Sequence, residues 1–330
     1  MSKKLWEASL NQKKKSNLFN FKNFVSKKLN KKFGRNYNKL LDWSIKNSPD
    51  FWNYFWDFSK IKGIKSKKKI KRSKKFHKNL FLPGSKLNFG ENLLLKNNFD
   101  KAITFISENG FREQKSWKQL NLSTSKIIKF LRKISIKKGD RVVAYMPNTI
   151  ETVEAFIASS SIGSIWSSCS PDFGIRGVVE RFSQINPKVL FITDQYFYNG
   201  KSINILERLP KILKYIPSIK NVVVVNYPGK RNIKNYKKLK KVNLFKWNKL
   251  MQISSEKIIF KKFDFENELA ILYSSGTTGK PKCICHRSGG VLLQHIKEHQ
   301  LHCNIKENDN VFYFTTCGWM MWNWLVSSLA

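Results

Sequence analysis

The sequence predicts an α/β fold, a mostly parallel sheet whose layers are covered by helices. Three observations predict it. From about Asn98 onward, short apolar runs alternate with helix-length segments. Several of those runs, KVLFIT (188–193) and NVVVVN (221–226) among them, lack the every-other-residue polarity of a strand with one wet face, as expected of strands buried on both sides. Gly or Pro then closes one helical pattern after another, which is the punctuation of repeated strand–helix units.

The 330 residues can hold one large domain or two ordinary ones. A first region is expected over residues 1–97. Leu40, Leu41, Trp43 and Ile45 predict a helix, which Ser48-Pro49-Asp50 ends and restarts. Phe51, Trp52, Phe55, Trp56 and Phe58 then recur at helical spacing, a stripe expected to be core. The run KSKKKIKRSKK (65–75) reads as a solvated loop.

The second region, residues 98–330, carries the regular pattern. KKGDRVVAYMPN (137–148) predicts a turn and a short buried strand, and TIETVEAFIASSSIG (149–163) a helix closed by Gly163. SIWSSCS (164–170) is strand-like, and GIRGVVERFSQINP (174–187) is a helix stopped at Pro187. KVLFIT is the next strand; SINILERLPKILKYIP (202–217) reads as helix with a kink at Pro210, and NVVVVN as strand. Residues 228–262 read as a lysine-rich, irregular surface excursion.

The formal net charge is +40, and 52 of the 62 basic residues are lysine. Base-edge readers lean on arginine, whose planar fork fits those targets, so the surplus reads as solvated surface. A basic nucleic-acid-binding protein remains the alternative, recognisable by a salt-sensitive gel shift. Five cysteines, an odd number, and a start without an apolar leader (MSKKLWEASL) predict a reduced, cytoplasmic protein. From Val311 to Ala330 no residue is charged. A tail anchor is one reading of that stretch. Thr315, Thr316, Gly318 and Asn323 favour a buried strand, VFYFTT, leading into a buried helix. Because the sequence stops within this apolar stretch, a longer parent protein is expected.

The densest chemistry lies in LYSSGTTGKPKCICHRSGG (272–290). ELAILYSSG (268–276) predicts a strand running into a Ser/Thr/Gly turn, and GGVLLQHIKEHQLH (289–302) a later helix. Only two residues separate Gly276 from Gly279, and Pro281 follows Lys280, so this is not a Walker A loop. The equipment still suits phosphate. Ser274, Ser275, Thr277 and Thr278 offer hydroxyls, Gly276 and Gly279 allow backbone N–H groups to approach, and Lys280 and Lys282 bring charge. Cys283, Cys285, His286, His302 and Cys303 could be imagined as a zinc site, but no C-x-x-C pair is present.

YSSGTTGKPK closely resembles the phosphate-loop signature of the adenylate-forming enzymes, the acyl-CoA synthetases and their relatives. WSSCSPDFGIRGVVERFSQINPKVLF (166–191) and FTTCGWMMWN (314–323) are similar to stretches of the acetoacetate–CoA ligases within that superfamily, and DFWNYFWDF (50–58) resembles their leader segment. The resemblance implies a large N-terminal, AMP-binding domain and a two-step ligation in which ATP, with Mg²⁺, activates a short carboxylate such as acetoacetate as an adenylate before coenzyme A displaces AMP. Acetyl- or propionyl-CoA synthesis is the nearest alternative. Ser274, Ser275, Gly276, Thr277, Thr278, Gly279 and Lys280 would hold the ATP phosphates, with Lys282 as a catalytic charge. Trp319, Met320 and Met321 would line the acyl pocket, and Tyr198, Asn199, Gly200 and Lys201 would meet CoA. The family's mobile C-terminal domain and its catalytic lysine have no counterpart in these residues, so the chain by itself is expected to be nearly inactive.

Overall fold

The computed structural model describes residues 5–34, 37–75, 78–227, 241–274 and 279–330. They group into two compact units: Met1–Leu87 with Asp264–Glu266 and Gly289–Phe312, and Asn88–Phe263 with Asn267–Ser288 and Tyr313–Ala330.

In the first unit, helices Asn17–Leu29, Tyr37–Lys46 and Ser48–Phe58 pack through aromatic rings. Pro49 sits in the first turn of the third helix, where a missing N–H costs nothing. Phe21 meets Phe51, Phe55 and Phe58 edge-on at 5.2–5.8 Å, so the aromatic stripe is core. Within the basic run 65–75, Lys65 bridges to Asp57 at 2.7 Å and Lys69 pairs with Asp50, both acids of the third helix. The π-helical turn Glu298–His302 follows helix Ser288–Lys297, and beyond it Asn304 and Ile305 are held by the backbone N–H and side-chain amide of Asn17 at 2.8 and 2.9 Å.

The second unit is built on a seven-stranded sheet. Its strands in chain order are β1 (Arg141–Tyr145), β2 (Ile165–Cys169), β3 (Val189–Thr193), β4 (Asn221–Val225), β5 (Asn243–Lys246), β6 (Glu268–Ser274) and β7 (Lys282–Arg287). The spatial order is β5-β4-β3-β1-β2-β6-β7. All neighbours run parallel except β6 and β7, which are antiparallel. Strands β2, β3 and β4 are buried along their whole length, which is why their sequences do not alternate. On one face Val143, Tyr145, Leu190, Ile192, Val222 and Val224 pack with Val178 and Phe182 of helix Ile175–Phe182 and with Leu209 and Ile212 of helix Leu209–Tyr215. Elsewhere in the unit the rings of Trp166 of β2, Phe156 and Trp322 meet at centroid distances of 5.5–6.4 Å. Helix Ile150–Ser161 is buried at every position, and helix Trp117–Lys133 packs against it.

Gly163, at φ +77°, turns the chain from that helix into β2, and a Cβ there would lie 2.7 Å from the Phe263 ring. Left-handed backbone and overpacking each penalise a side chain. Gly163→Ala is therefore expected to cost about 1–3 kcal/mol, read as a lower thermal midpoint.

The structure corrects four sequence expectations. Residues 202–204 are strand, not helix: Gln195–Tyr198 and Lys201–Asn204 form an antiparallel hairpin across Asn199-Gly200. Both turn residues have positive φ, +49° and +72°, as a two-residue Asn-Gly hairpin turn requires. Pro210 consequently stands in the first turn of helix Leu209–Tyr215 instead of kinking a longer one. Residues 243–246 are an edge strand instead of irregular surface, because Leu244 and Phe245 pair in parallel with Val222 and Val223. Residues 282–287 form β7, which was not expected. The VFYFTT segment is not a buried strand: it joins no ladder, and Phe312 and Phe314 are exposed. Strand propensity is context-dependent, and without ladder partners it makes no sheet. No helix among the described residues is long and apolar enough to cross a membrane.

Candidate active site

The three groups of sequence-predicted site residues emerge at or beyond the carboxyl ends of parallel strands, where ligands gather in open α/β sheets. The loop expected to hold phosphate leaves β6 at Ser274 and returns as β7 at Lys282, the residue directly opposite Ser274 in the ladder. A hairpin, and not a strand-to-helix turn, therefore frames it. Ser275, Gly276, Thr277 and Thr278 lie outside the described residues. Gly279 has φ +93°, a conformation only glycine adopts without strain, and Lys280 beside it is exposed. The return is pinned by Gln184, whose side-chain N–H donates to the Pro281 carbonyl at 2.9 Å. Lys282 is also exposed, so the loop opens with a hydroxyl and closes with two solvated ammonium groups.

Below the loop, Tyr273 lies against the sheet, with its Oη 3.2 Å from Ser167 Oγ and the Arg181 guanidinium 5.7 Å from its ring. Burial pushes its phenol well above the ordinary tyrosine range, so it stays neutral and serves as a wall.

The second group follows Cys317. Ser168 Oγ donates to the Cys317 carbonyl at 2.6 Å, and the Cys317 thiol donates to the Met146 carbonyl at 2.8 Å. These bonds seat the segment over the ends of β2 and β1. Burial raises the Cys317 thiol to about 12, so it remains a neutral donor. Helix Met320–Val326 starts immediately after. Trp322 is wholly buried, with its indole N–H bonded to Asn148 Oδ1 at 2.7 Å. Trp319 and Met320 are instead 58% and 46% exposed, and Met321 is half-buried. Trp322 is thus the anchor of this segment, and Trp319 and Met320 are the groups a ligand could reach.

The third group, Tyr198, Asn199, Gly200 and Lys201, forms the tip of the hairpin beyond β3. The N–H groups of Asn199 and Gly200 donate to the two carboxylate oxygens of Glu108 at 2.8 and 2.9 Å. Consecutive left-handed residues present their amides on one side as an anion cradle, and Glu108 fills it. The Asn-Gly pair was the signal for this hairpin; nothing local to Glu108 marked it in advance. Gln184 likewise carried no signal, since its partner is 97 residues away.

Cys283 and Cys285 are exposed on the edge strand, and all five cysteines are free. Burial pushes the Cys285 thiol up to about 11 and lowers His286 below the ordinary histidine range. Among the described residues no three His, Cys, Asp or Glu side chains are grouped so as to hold a metal ion.

The chain is similar to a solved structure, acetoacetyl-CoA synthetase from Streptomyces lividans. That similarity has a TM-score of 0.91 at 28% identity and covers 99% of this chain and 50% of that one. In sequence the chain is 42% identical over 302 residues to acetoacetyl-CoA synthetase of Gallus gallus, covering 89% of this chain and 45% of the relative. It is 40% identical to acetoacetyl-coenzyme A synthetase of Rhizobium meliloti, over 91% and 46%. The chain thus spans about half the length of the curated relatives it matches. The profile of AMP-binding enzymes matches residues 96–329, a span that includes the whole sheet and all three loop groups. On that match, the chain belongs to the family of AMP-binding enzymes.

Proposed function

We propose that this chain is the N-terminal part of an acetoacetate–CoA ligase, which activates its carboxylate with ATP and passes the acyl group to coenzyme A. The observation that carries the reading is the 40–42% identity to acetoacetyl-CoA synthetases across about nine-tenths of the chain.

The chemistry fits the residues. A carboxylate that attacks the α-phosphorus of ATP is already a nucleophile, so no side chain need become one. What the step requires is neutralisation of charge as pyrophosphate leaves. Ser274 and Lys282 face each other at the loop's base and Lys280 stands beside them. Ser275, Gly276, Thr277, Thr278 and Gly279 complete the phosphate-binding set in this reading. The loop supplies hydroxyls, amides and ammonium groups and no carboxylate. Since Mg²⁺ in such sites is held by one or two carboxylates together with phosphate oxygens, no protein ligand is assigned to it here.

Trp319, Met320 and Met321 are the acyl-facing residues in this reading, and Tyr198, Asn199, Gly200 and Lys201 the CoA-facing ones. Lys201 would carry the charge that a CoA phosphate needs. Five free thiols fit a reduced compartment, the cytoplasm.

The test is carboxylate-dependent ATP–pyrophosphate exchange in a chimera that completes this chain with the C-terminal half of the Streptomyces lividans enzyme. Acetoacetate is expected to support exchange at least tenfold faster than acetate or propionate, with none above background from the 330-residue chain alone. Faster exchange with acetate or propionate would reassign the substrate, and no exchange with any of them would reject the ligase.

A further inference from the structure

In a chain with 52 lysines, the ten arginines stand out where they are buried among backbone oxygens. Arg208 is one of them. It directly precedes helix Leu209–Tyr215 and is half-buried. Its Nη1 donates to the carbonyls of Pro171 and Phe173, at 3.0 and 3.3 Å, and to the Tyr145 hydroxyl. That hydroxyl, on a wholly buried ring at the end of β1, lies 3.0 and 2.5 Å from the same two carbonyls. One guanidinium nitrogen and one phenol therefore hold the turn after β2 by the carbonyls of Pro171 and Phe173. The turn is closed by Phe173 N–H to Ser170 O at 3.0 Å.

The held turn presents the Phe173 ring. On one side the Arg181 guanidinium lies 4.6 Å from its centroid. On another side Gly318 leaves room for it: a Cβ at Gly318 would come within 3.3 Å of the ring and 3.4 Å of the Ser170 backbone nitrogen. The next residues are Trp319 and Met320, which stand exposed at the carboxyl edge. Arg181 in turn reaches Tyr273, the residue before the phosphate loop's first hydroxyl. Arg208 itself engages interior oxygens through Nη1, and among the described residues no hydrogen bond joins it to the Trp319 segment.

We propose that Arg208 is a positioning residue for the acyl end of the site: it fixes Phe173, and Phe173 sets the backbone at Gly318 that carries Trp319 and Met320. The substrate named in this role rests on the ligase reading above; the mechanical link does not.

The link is tested in the 330-residue chain by hydrogen exchange. Arg208→Met is expected to speed exchange of the Phe173 and Trp319 amides about tenfold while helix Ile150–Ser161 keeps its protection. All three bonds leave from one nitrogen, so a point donor can replace part of the set, and Arg208→Lys should fall between wild type and Arg208→Met. Loosening at Phe173 with Trp319 unchanged would overturn the proposal, as would no loosening at either. Loss of protection along helix Ile150–Ser161 would mean general unfolding; Gly318→Ala then decides, because it pushes on the same ring from the other side and leaves Arg208 in place. It should loosen the Phe173 amide, and an unchanged Phe173 overturns the link.

The consequence for the reaction is tested in the chimera. Arg208→Met and Gly318→Ala should each raise the KM for acetoacetate about tenfold and leave the KM for ATP within twofold. Equal rises in both KM values, or a fall in kcat alone, would reject an acyl-end role. If wild-type chimera shows no exchange with any carboxylate, the ligase reading falls, while the amide result still decides the mechanical link.

Discussion

Lys115→Met is expected to remove about 3–5 kcal/mol of folding stability at pH 7, the usual cost of stripping one partner from a buried ion pair. Lys115 projects from strand Arg112–Ser116 to Glu154 at 2.8 Å. Glu154 is wholly buried in helix Ile150–Ser161, and Glu151, one turn earlier, is nearly so. Each carboxylate keeps one oxygen with no hydrogen-bond partner, so a single ammonium compensates two acids in a dry interior. Burial lifts the Glu154 carboxyl from 4.5 to about 7 against the pull of Lys115, and burial raises Glu151 as well.

The sign follows from linkage. A carboxyl raised above its unfolded value contributes stability that is fully present below pH 4.5 and is lost as pH rises through about 7. In Lys115→Met the opposing charge is gone, so Glu154 takes up a proton more readily still. The deficit relative to wild type should then shrink between pH 8 and pH 5. Urea unfolding at pH 5, 7 and 8 reads both effects. Lys115→Met/Glu154→Leu, which removes the ion pair and leaves only Glu151, should recover part of the loss. A deficit below about 1 kcal/mol at pH 7, typical of exposed pairs, would contradict the buried coupling.

The second large effect belongs to the loop. Lys282→Ala in the chimera is expected to slow acetoacetate-dependent exchange by about 10²–10³-fold, the cost of deleting one preorganised donor to developing charge. Lys282 starts β7 opposite Ser274, so the ladder sets its backbone position. Lys280 lies outside the ladder beside Gly279. The difference predicts that Lys280→Ala weakens ATP binding more than it slows turnover. Equal and small losses for both variants, within threefold, would make Lys282 one more solvated lysine.

The central sheet was legible because burial on both faces leaves no choice of side chain. VLFIT and VVVV can hardly be anything else, and β1 to β4 stand where the sequence put them. What was not legible depended on partners far along the chain. Val311 to Thr316 has the residues of a strand but pairs with no strand among the described residues. Lys282 to Arg287, with its two cysteines and a histidine, looks like loop chemistry, yet it forms a strand because β6 offers an open edge. Asn199-Gly200 is a turn signal that can be read from the residue pair itself. The site divides the same way. The loop's residue types suit phosphate, whereas Glu108, Gln184 and Arg208 bond to partners 35–97 residues distant.

The order of the strands also sets a timetable for synthesis. Strands β1 to β4 leave the ribosome in sequence and can pair as they come, but one side of β2 waits for β6. Ser167 and its partner Ile271 are 104 positions apart. At cellular elongation rates that interval is on the order of 5–20 s. For that time the wholly buried strand IWSSC has a bare edge in the nascent chain, and an unpaired apolar edge recruits whatever strand is nearest. A ribosome that stalls between codons 170 and 268 would therefore release the species of this protein most prone to aggregate, and chaperone occupancy should peak in that window.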